Sequence, residues 1–290
     1  MRISVFYDHI KEAEQQSGRP MRELLKEVKD AGITGVEINF SCLREKKEQI
    51  LEELNNAGLC ISNIYEFYNW GNKPDLAYAK EHVELALEVG AEKILVVPGF
   101  VSAGEEKQLT KYKDTEKALY EYMEHNQKIR RMKENLTELV AYANQKAEGE
   151  KTLFVTLEDF DYKLAPYRRM RELKYFMEQV PGLRYTFDSG NFAYSDEDAW
   201  EAYELLKPYI VHMHCKDRGR EKKLKYLTTK VNKGLATVAV GSGYMPMEKT
   251  ILDLQKSDYD GYFAIEHFGA KNQMETIKDS AAYLNAELVE

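Results

Sequence analysis

The sequence is poor in cysteine and has no long apolar run. Its three cysteines, Cys42, Cys60 and Cys215, include no Cys-x-x-Cys motif, which excludes a disulfide framework and a thiolate zinc site. No apolar run approaches about 18 residues, so a membrane-spanning helix is excluded. The first residues also lack the features of a signal peptide. We therefore expect a cytoplasmic protein with reduced thiols and no contact with membranes.

Positive charge is in the minority. The 41 lysines and arginines are outnumbered by 49 aspartates and glutamates, which gives a formal net charge of −8 at pH 7. Such a charge repels the phosphate backbone, so we expect no nucleic-acid partner. The hydrophobic fraction of 43% and the charged fraction of 31% are ordinary for a globular protein and exclude disordered, collagen-like and coiled-coil classes.

The sequence does contain a repeated unit, in which a helical stretch is followed by a short β-rich run. In most units a glycine such as Gly58 or Gly90 separates the two parts, because glycine readily adopts the left-handed conformation that ends a helix. With the opening strand, the repeat predicts eight strands, over residues 3–7, 35–39, 60–65, 93–97, 153–158, 184–188, 210–214 and 262–266.

Strands that alternate with helices form parallel sheets, and eight such units are typical of a closed (β/α)8 TIM barrel. We therefore predict a single α/β domain over residues 1–290, with an open doubly wound sheet as the alternative. Residues 101–131 are polar and charged. We interpret them as an insertion after the fourth strand that merges into a long helix with Leu119, Met123 and Met132.

Four consecutive predicted strands, the fifth to the eighth, each end in a side chain that can bind a metal. These are Glu158, Asp188, His214 and Glu266. The active site of such a barrel lies at the carboxyl ends of its strands, and neighbouring strands are about 4.8 Å apart, so we expect the four side chains to converge. Three carboxylates and one imidazole favour Mn²⁺ or Mg²⁺, with Co²⁺ and Zn²⁺ as alternatives.

Three segments resemble the last three strand motifs of the xylose isomerase-like sugar phosphate isomerase/epimerase superfamily. They are 186–191 (TFDSGN), 212–218 (HMHCKDR) and 262–266 (YFAIE), and residues 32–37 (GITGVE) are similar to its second-strand segment. The resemblance implies a TIM barrel with one divalent ion, commonly manganese, held by the four strand-end side chains. It implies ketose 3-epimerases, hydroxypyruvate isomerases and inosose isomerases or dehydratases as functional analogues.

In the ketose epimerases of this superfamily, one metal-bound glutamate removes a proton and a second returns one on the opposite face of the substrate. Carried over, Glu158 and Glu266 are the predicted catalytic pair, and the metal stabilises the enediolate. The alternative is a lyase that uses the same metal to dehydrate a cyclic polyol or to cleave a sugar conjugate. It needs a general acid, for which His9, His212 and Lys216 are candidates.

Other residues are expected to bind a sugar, a sugar phosphate or a polyol. They are Asn191, Arg218, Lys216, His212, Glu66 and His9. Asn191 stands where the epimerases often carry a histidine, so isomerase, epimerase and lyase all stay open. His212 and His214 point to the same side of their strand, and the resemblance selects His214 as the ligand.

Residues 216–233 form the one strongly basic segment, with eight bases and two acids. The segment follows the seventh strand, so we expect it at the rim of the site, either attracting an anionic substrate or serving as a solvated loop or subunit contact. Gly241-Ser242-Gly243 is interpreted as a tight turn and His82 as a surface residue of a helix. Family analogy suggests a homo-oligomer, a dimer or tetramer.

Two further classes are disfavoured. An endonuclease IV-like DNA repair enzyme has the same fold but binds three metals through several histidines. This chain has six histidines in all and a negative net charge. A non-catalytic binding subunit is expected to lack a metal ligand, and none of the four is missing.

Overall fold

A computed structural model describes residues 2–147, 152–220 and 234–287. The strands in these ranges are β1 (Arg2–Phe6), β2 (Gly35–Asn39), β3 (Cys60–Phe67), β4 (Lys93–Val97), β5 (Phe154–Glu158), β6 (Arg184–Asp188), β7 (Ile210–Cys215), β8 (Asp217–Gly219), β9 (Ala236–Val238) and β10 (Tyr262–Ile265). The helices are α1 (Tyr7–Ser17), α2 (Met21–Asp30), α3 (Phe40–Glu45), α4 (Lys47–Ala57), α5 (Ala77–Val89), α6 (Ala103–Tyr112), α7 (Glu116–His125), α8 (Gln127–Lys146), α9 (Met170–Gln179), α10 (Ala199–Leu206), α11 (Met247–Gln255) and α12 (Gln273–Glu287). Each of these helices is too short or too polar to cross a membrane.

Eight of the strands close into a parallel barrel, in the order β1-β10-β7-β6-β5-β4-β3-β2. The first and last strands pair in parallel, with Ile3 opposite Phe263 and Val5 opposite Ile265. This closure confirms the predicted TIM barrel and excludes the open sheet, whose edge strands stay unpaired. The two remaining strands, β8 and β9, form a separate antiparallel pair that the sequence did not predict.

Glycine ends two helices in the predicted way. Gly58 follows α4 with a φ of 70°, and Gly90 follows α5 with a φ of 73°. Their N–H groups donate to the carbonyls of Asn55 and Leu87 in the last helical turn. This left-handed conformation lets the chain leave the helix and enter the next strand.

The chain divides by its contacts into two compact units. The first unit comprises residues 1–62, 188–193 and 212–290, and the second comprises residues 63–187 and 194–211. Phe40 and Phe263 are among the largest fully buried side chains of the first unit, and Trp70 and Tyr167 among those of the second. The assignment of residues 1–290 to a single domain stays a prediction.

The predicted insertion at 101–131 folds into α6, α7 and the beginning of α8. Leu119 and Met123 on α7 are fully buried. The prediction of one long helix through these residues is wrong, because Asn126 starts a new helix. Its side-chain oxygen accepts hydrogen bonds from the N–H groups of Lys128 and Ile129, as an N-cap residue does.

The prediction that His82 is a surface residue is also wrong. His82 lies on α5 and is fully buried. Its Nδ1 is 3.0 Å from the hydroxyl of Tyr68, and its Nε2 is 3.2 Å from the carbonyl of Ile64. Burial lowers the pKa of His82 to about 3, so the ring is neutral near pH 7.

The N-cap role of Asn126 can be tested by substitution. We expect Asn126→Ala to lower the free energy of unfolding by about 1 kcal/mol, because the first N–H groups of α8 lose their acceptor. The measurement is urea unfolding followed by circular dichroism. Asn144→Ala, at an exposed position inside the same helix, is the matched control. Equal destabilisation by the two substitutions would contradict the capping role.

Candidate functional site

Strand β7 carries the two histidines of the sequence motif. Side chains alternate along a strand, so His212 and His214 lie on one side, while Met213 and Cys215 lie on the other. Lys216 follows directly after the strand. All five residues are buried, and Lys216 is only 7% exposed. An ammonium group at this depth needs charged or polar partners.

The carboxylate of Glu37, in the middle of β2, contacts both histidines. Its Oε1 lies 2.6 Å from Nε2 of His212, and its Oε2 lies 3.2 Å from Nε2 of His214. Burial by itself raises the pKa of Glu37, but the two imidazoles outweigh burial and hold this pKa well below its usual range. An ionised carboxylate only accepts hydrogen bonds, so both Nε2–H groups donate to Glu37.

These hydrogen bonds determine which ring nitrogen of His214 faces Glu266. Glu266 directly follows the last residue of β10. Nδ1 of His214 lies 3.0 Å from Oε2 of Glu266. A ring nitrogen lone pair and a carboxylate oxygen repel each other at this distance unless a proton or another cation holds them together. Because Nε2–H is donated to Glu37, Nδ1 is the atom through which His214 can bind a metal.

Lys216 contacts two carboxylates, those of Asp188 at the end of β6 and of Glu266 directly after β10. Its Nζ lies 3.1 Å from Oδ2 of Asp188 and 3.0 Å from Oδ1 of Asn191, and it contacts Oε1 of Glu266 directly. Burial opposes ionisation of Glu266. The charge of Lys216 and the hydrogen bond with His214 outweigh that effect, and they lower the pKa of Glu266 well below its usual range.

The turn after β6 orients Asp188. Oδ1 of Asp188 accepts hydrogen bonds from the N–H groups of Gly190 at 2.7 Å and Asn191 at 2.9 Å. Arg218, on β8, donates from Nε to the carbonyl of Gly190 at 3.2 Å. A Cβ on Gly190 would lie 2.5 Å from the carbonyl oxygen of Lys216, so only glycine permits this close approach.

Asp188, His214 and Glu266 each offer a ligand atom, and these atoms lie within 4.8 Å of one another. All three side chains are buried. Glu37, His212 and His214 form a second group of metal-capable residues. In that group both carboxylate oxygens of Glu37 already contact imidazole nitrogens, whereas the first group places two carboxylates around Nδ1, the ring nitrogen of His214 that does not face Glu37. The first group is therefore the better candidate metal site.

His9 lies on α1, three residues after the end of β1. It is fully buried, and its Nε2 accepts a hydrogen bond from the backbone N–H of His267 at 3.0 Å. The two rings stack with their centroids 4.6 Å apart. Burial and the neighbouring His267 lower the pKa of His9 well below its usual value, so its ring is neutral. His9 thus supports the segment that directly follows Glu266.

Glu158 and Glu66 belong to the second unit. Glu158 ends β5, is 5% exposed, and lies opposite Thr186 of β6. The carboxylate of Glu66 on β3 accepts hydrogen bonds from the hydroxyl of Tyr78 at 3.1 Å and from the N–H of Phe67 at 2.7 Å. The roles of Glu158 as ligand and catalytic group and of Glu66 as a substrate-binding group stay predictions.

The basic segment 216–233 is described only at its beginning. Five of its lysines lie outside the described residues: Lys222, Lys223, Lys225, Lys230 and Lys233. Its steering role stays a prediction. The turn that follows β9 uses its backbone donors internally, because the N–H groups of Gly241 and Gly243 bind Oδ2 of Asp217 at 3.0 and 2.8 Å. A buried carboxylate therefore takes the donors that a phosphate would need there.

Glu37 is the site residue that the sequence analysis did not select. The available signal was a single acidic residue between Val36 and Ile38, in a short run that is otherwise apolar. Those two neighbours are fully buried, as is Glu37 itself. An ionisable side chain in such a strand needs partners, and it is in such surroundings that functional groups are found.

A closed parallel barrel with a buried carboxylate and imidazole cluster at its strand ends is the architecture of a TIM-barrel enzyme. A family model described as "Xylose isomerase-like TIM barrel" matches residues 25–287, and the chain belongs to this family. The resemblance seen in the strand motifs is thereby confirmed.

Proteins to which the chain or its fold is similar include both dehydratases and an epimerase. The chain is 37% identical to an inosose dehydratase of Clostridium perfringens over 87 residues, which are 28% of this chain and 29% of that protein. The fold is similar to the probable 3-DHS dehydratase of Bacillus anthracis, with a TM-score of 0.66, 19% identity and coverage of 98% and 99% of the two chains. It is also similar to 3-keto-D-glucoside 4-epimerase of E. coli, with a TM-score of 0.62, 16% identity and 99% coverage of both chains.

The alternation of side chains along β7 predicts a pattern of thiol reactivity. Burial raises the pKa of Cys215 far above its usual value, whereas Cys60 is exposed. We expect iodoacetamide to label Cys60 in the folded protein and to label Cys215 only after unfolding, because the thiolate is the reactive form. Peptide mass spectrometry measures both sites. Rapid labelling of Cys215 in the folded protein would contradict this description of β7.

Proposed function

We propose that the chain is a divalent-cation-dependent isomerase or epimerase that removes the proton next to the carbonyl group of a sugar, a sugar phosphate or a related polyol that carries a keto group. The observation that carries this proposal is the buried cluster of Asp188, His214, Glu266 and Lys216. Within this cluster Glu266 is shielded from water and its pKa lies well below its usual range, and a buried group perturbed in this way is typical of catalytic sites. Membership of the xylose isomerase-like family supports the substrate class.

The donor atoms suit a hard divalent cation. Asp188 and Glu266 supply carboxylate oxygens, and His214 supplies Nδ1. We propose Glu158 as the fourth ligand, because it ends the strand that pairs with β6. Mn²⁺ is the preferred ion, with Mg²⁺, Co²⁺ or Zn²⁺ as alternatives. When bound, the cation supplies a Lewis acid that polarises the carbonyl group of the substrate.

Glu158 and Glu266 are the proposed proton-transfer groups. Glu266 is ionised near pH 7, as a base must be, but its low pKa makes it a weak base while Lys216 contacts it. We expect substrate oxygens to take over the contact with Lys216, which strengthens Glu266 as a base. The proposed substrate-binding groups are Asn191, Arg218, Lys216, His212, Glu66 and His9.

Dehydration of a cyclic polyol is the second candidate, and Lys216 is the observation that favours it. A lyase needs a group that protonates the departing hydroxyl, and the ammonium of Lys216 lies beside the proposed base Glu266. The 87-residue similarity to inosose dehydratase supports the same reading. Both reactions begin with removal of the same kind of proton, and they differ in whether water then leaves.

We further propose that the protein acts in the cytoplasm as a homo-oligomer, a dimer or tetramer, on small molecules and not on nucleic acid. The net charge of −8 supports the absence of a nucleic-acid partner. Three free cysteines support a reducing compartment.

Solvent exchange tests the shared first step. The protein is incubated in D₂O with Mn²⁺ and a panel of ketoses, ketose phosphates, hydroxypyruvate and inososes. We expect deuterium to enter at the carbon next to the carbonyl group, and none to enter after exhaustive treatment with EDTA. Glu158→Gln and Glu266→Gln should each lower the exchange rate by about 10²- to 10⁴-fold. Glu52→Gln, at an exposed position on α4, is the matched control.

The products separate the two candidates. Label in an isomer or epimer with no loss of water indicates the first candidate, and release of water indicates a dehydratase. If every compound gives neither label nor water loss, or if exchange persists after chelation, the proposed function is wrong.

Glu37→Gln tests whether Glu37 positions His214. Glutamine has the same shape, but its amide offers only one oxygen, so the proton arrangement on the two imidazoles is no longer fixed. We expect the affinity for Mn²⁺, measured by isothermal titration calorimetry, to fall by about 10- to 100-fold, while far-UV circular dichroism stays unchanged. The Glu52→Gln variant again serves as control. Unaltered affinity in a folded Glu37→Gln protein would remove this role.

A further inference from the structure

A polar cavity of about 530 Å³ lies entirely within the second unit. Helix α6, residues 161–169 after β5, and residues 194–196 after β6 contribute its lining. No residue of the cluster around Asp188 and His214 belongs to this lining. The volume is in the range of binding sites for small molecules, so its chemistry decides what it can hold.

Two adjacent arginines line this cavity with guanidinium groups that are already held in place. Arg168 and Arg169 are 8% and 4% exposed, and both contact Oε1 of Glu106, at 3.0 and 3.2 Å. Arg169 also binds Glu172 at 2.6 Å, and Arg168 donates to the hydroxyl of Ser195 at 3.1 Å. These contacts orient the planar groups before any ligand arrives, which reduces the entropy lost on binding.

Arg168 has hydrogen-bonding capacity left over. Its Nε is shielded from water and has no partner among the described residues, which is a costly state for a charged donor. Burial and the adjacent charge of Arg169 also lower the pKa of Arg168. An anion beside Arg168 would offset the charge of Arg169 and favour the charged form of Arg168.

The charges of the lining favour an anion. Five basic and three acidic side chains face the cavity. Lys107, Lys113 and Lys163 are exposed, so they form a basic rim, whereas Arg168 and Arg169 are buried behind it. Exposed ammonium groups attract an anion by their charge, and the buried guanidinium groups can bind its oxygens.

We propose that this cavity binds a compact oxyanion, namely the phosphate or carboxylate group of a small metabolite, between Arg168 and the rim lysines. The site is additional to the proposed metal-dependent activity and does not depend on it, because binding is measured without turnover. A guanidinium fork suits both kinds of oxyanion, since each presents two oxygens at a suitable spacing.

The test is calorimetric titration of the full chain, treated with EDTA, with inorganic phosphate and separately with succinate at constant ionic strength. We expect saturable binding of at least one of the two, with one ligand per chain. The Lys113→Ala/Lys163→Ala double variant should raise the dissociation constant about tenfold, since it removes two charges from the rim. Lys117→Ala, at an exposed position on α7 outside the cavity, should leave the constant unchanged.

Arg168→Lys keeps the charge and removes the fork, so it should also weaken binding. If that variant fails to fold, the rim variant, which changes only exposed residues, still decides the question. Binding of phosphate alone or of succinate alone would support the site and identify the preferred group. The proposal is wrong if neither anion binds saturably, or if Lys117→Ala weakens binding as much as the rim variant does.

Discussion

The buried, ionised carboxylate of Glu37 is the constraint on which the candidate site depends. It is fully buried, and it accepts hydrogen bonds from the rings of both His212 and His214. Removing one partner of a buried ion pair leaves the other charge uncompensated, at a cost of about 3–5 kcal/mol. The three side chains therefore hold one another in place, and Nδ1 is the ring nitrogen of His214 that faces Glu266.

The balance of charge around Glu37 and its neighbours supports the proposed metal site. The carboxylates of Glu37, Asp188 and Glu266 are all buried, and one ammonium group, that of Lys216, contacts two of them. The remaining positive charge has to come from protonated imidazoles or from a bound cation, since unpaired charges are too costly in an apolar interior. The same electrostatics that hold the cluster together thus make it a suitable site for a divalent ion.

Local patterns predicted the barrel well and some details badly. Apolar β-rich runs and helix-ending glycines can be recognised within short stretches of sequence. The eight barrel strands could therefore be predicted. The strands β8 and β9 were missed because each has only three residues, too few to show an alternation of apolar and polar side chains. His82 was assigned to the surface because a histidine in a helix gives no local sign of which face is covered. Asn126 was not recognised as a cap, since the apolar spacing of α7 continues into α8.

The sequence by itself determined the repeated pattern of strands and helices. It also placed Asp188, His214 and Glu266 at strand ends. Both results depend only on the residues within short segments of the chain. Only the tertiary structure decided that Glu37 binds both histidines and that Lys216 joins Asp188 to Glu266. Glu37 is separated from His212 and His214 by 175 and 177 positions along the chain. Hydrogen bonding, burial and the resulting pKa values depend on distances in space, which exist only once the barrel has closed.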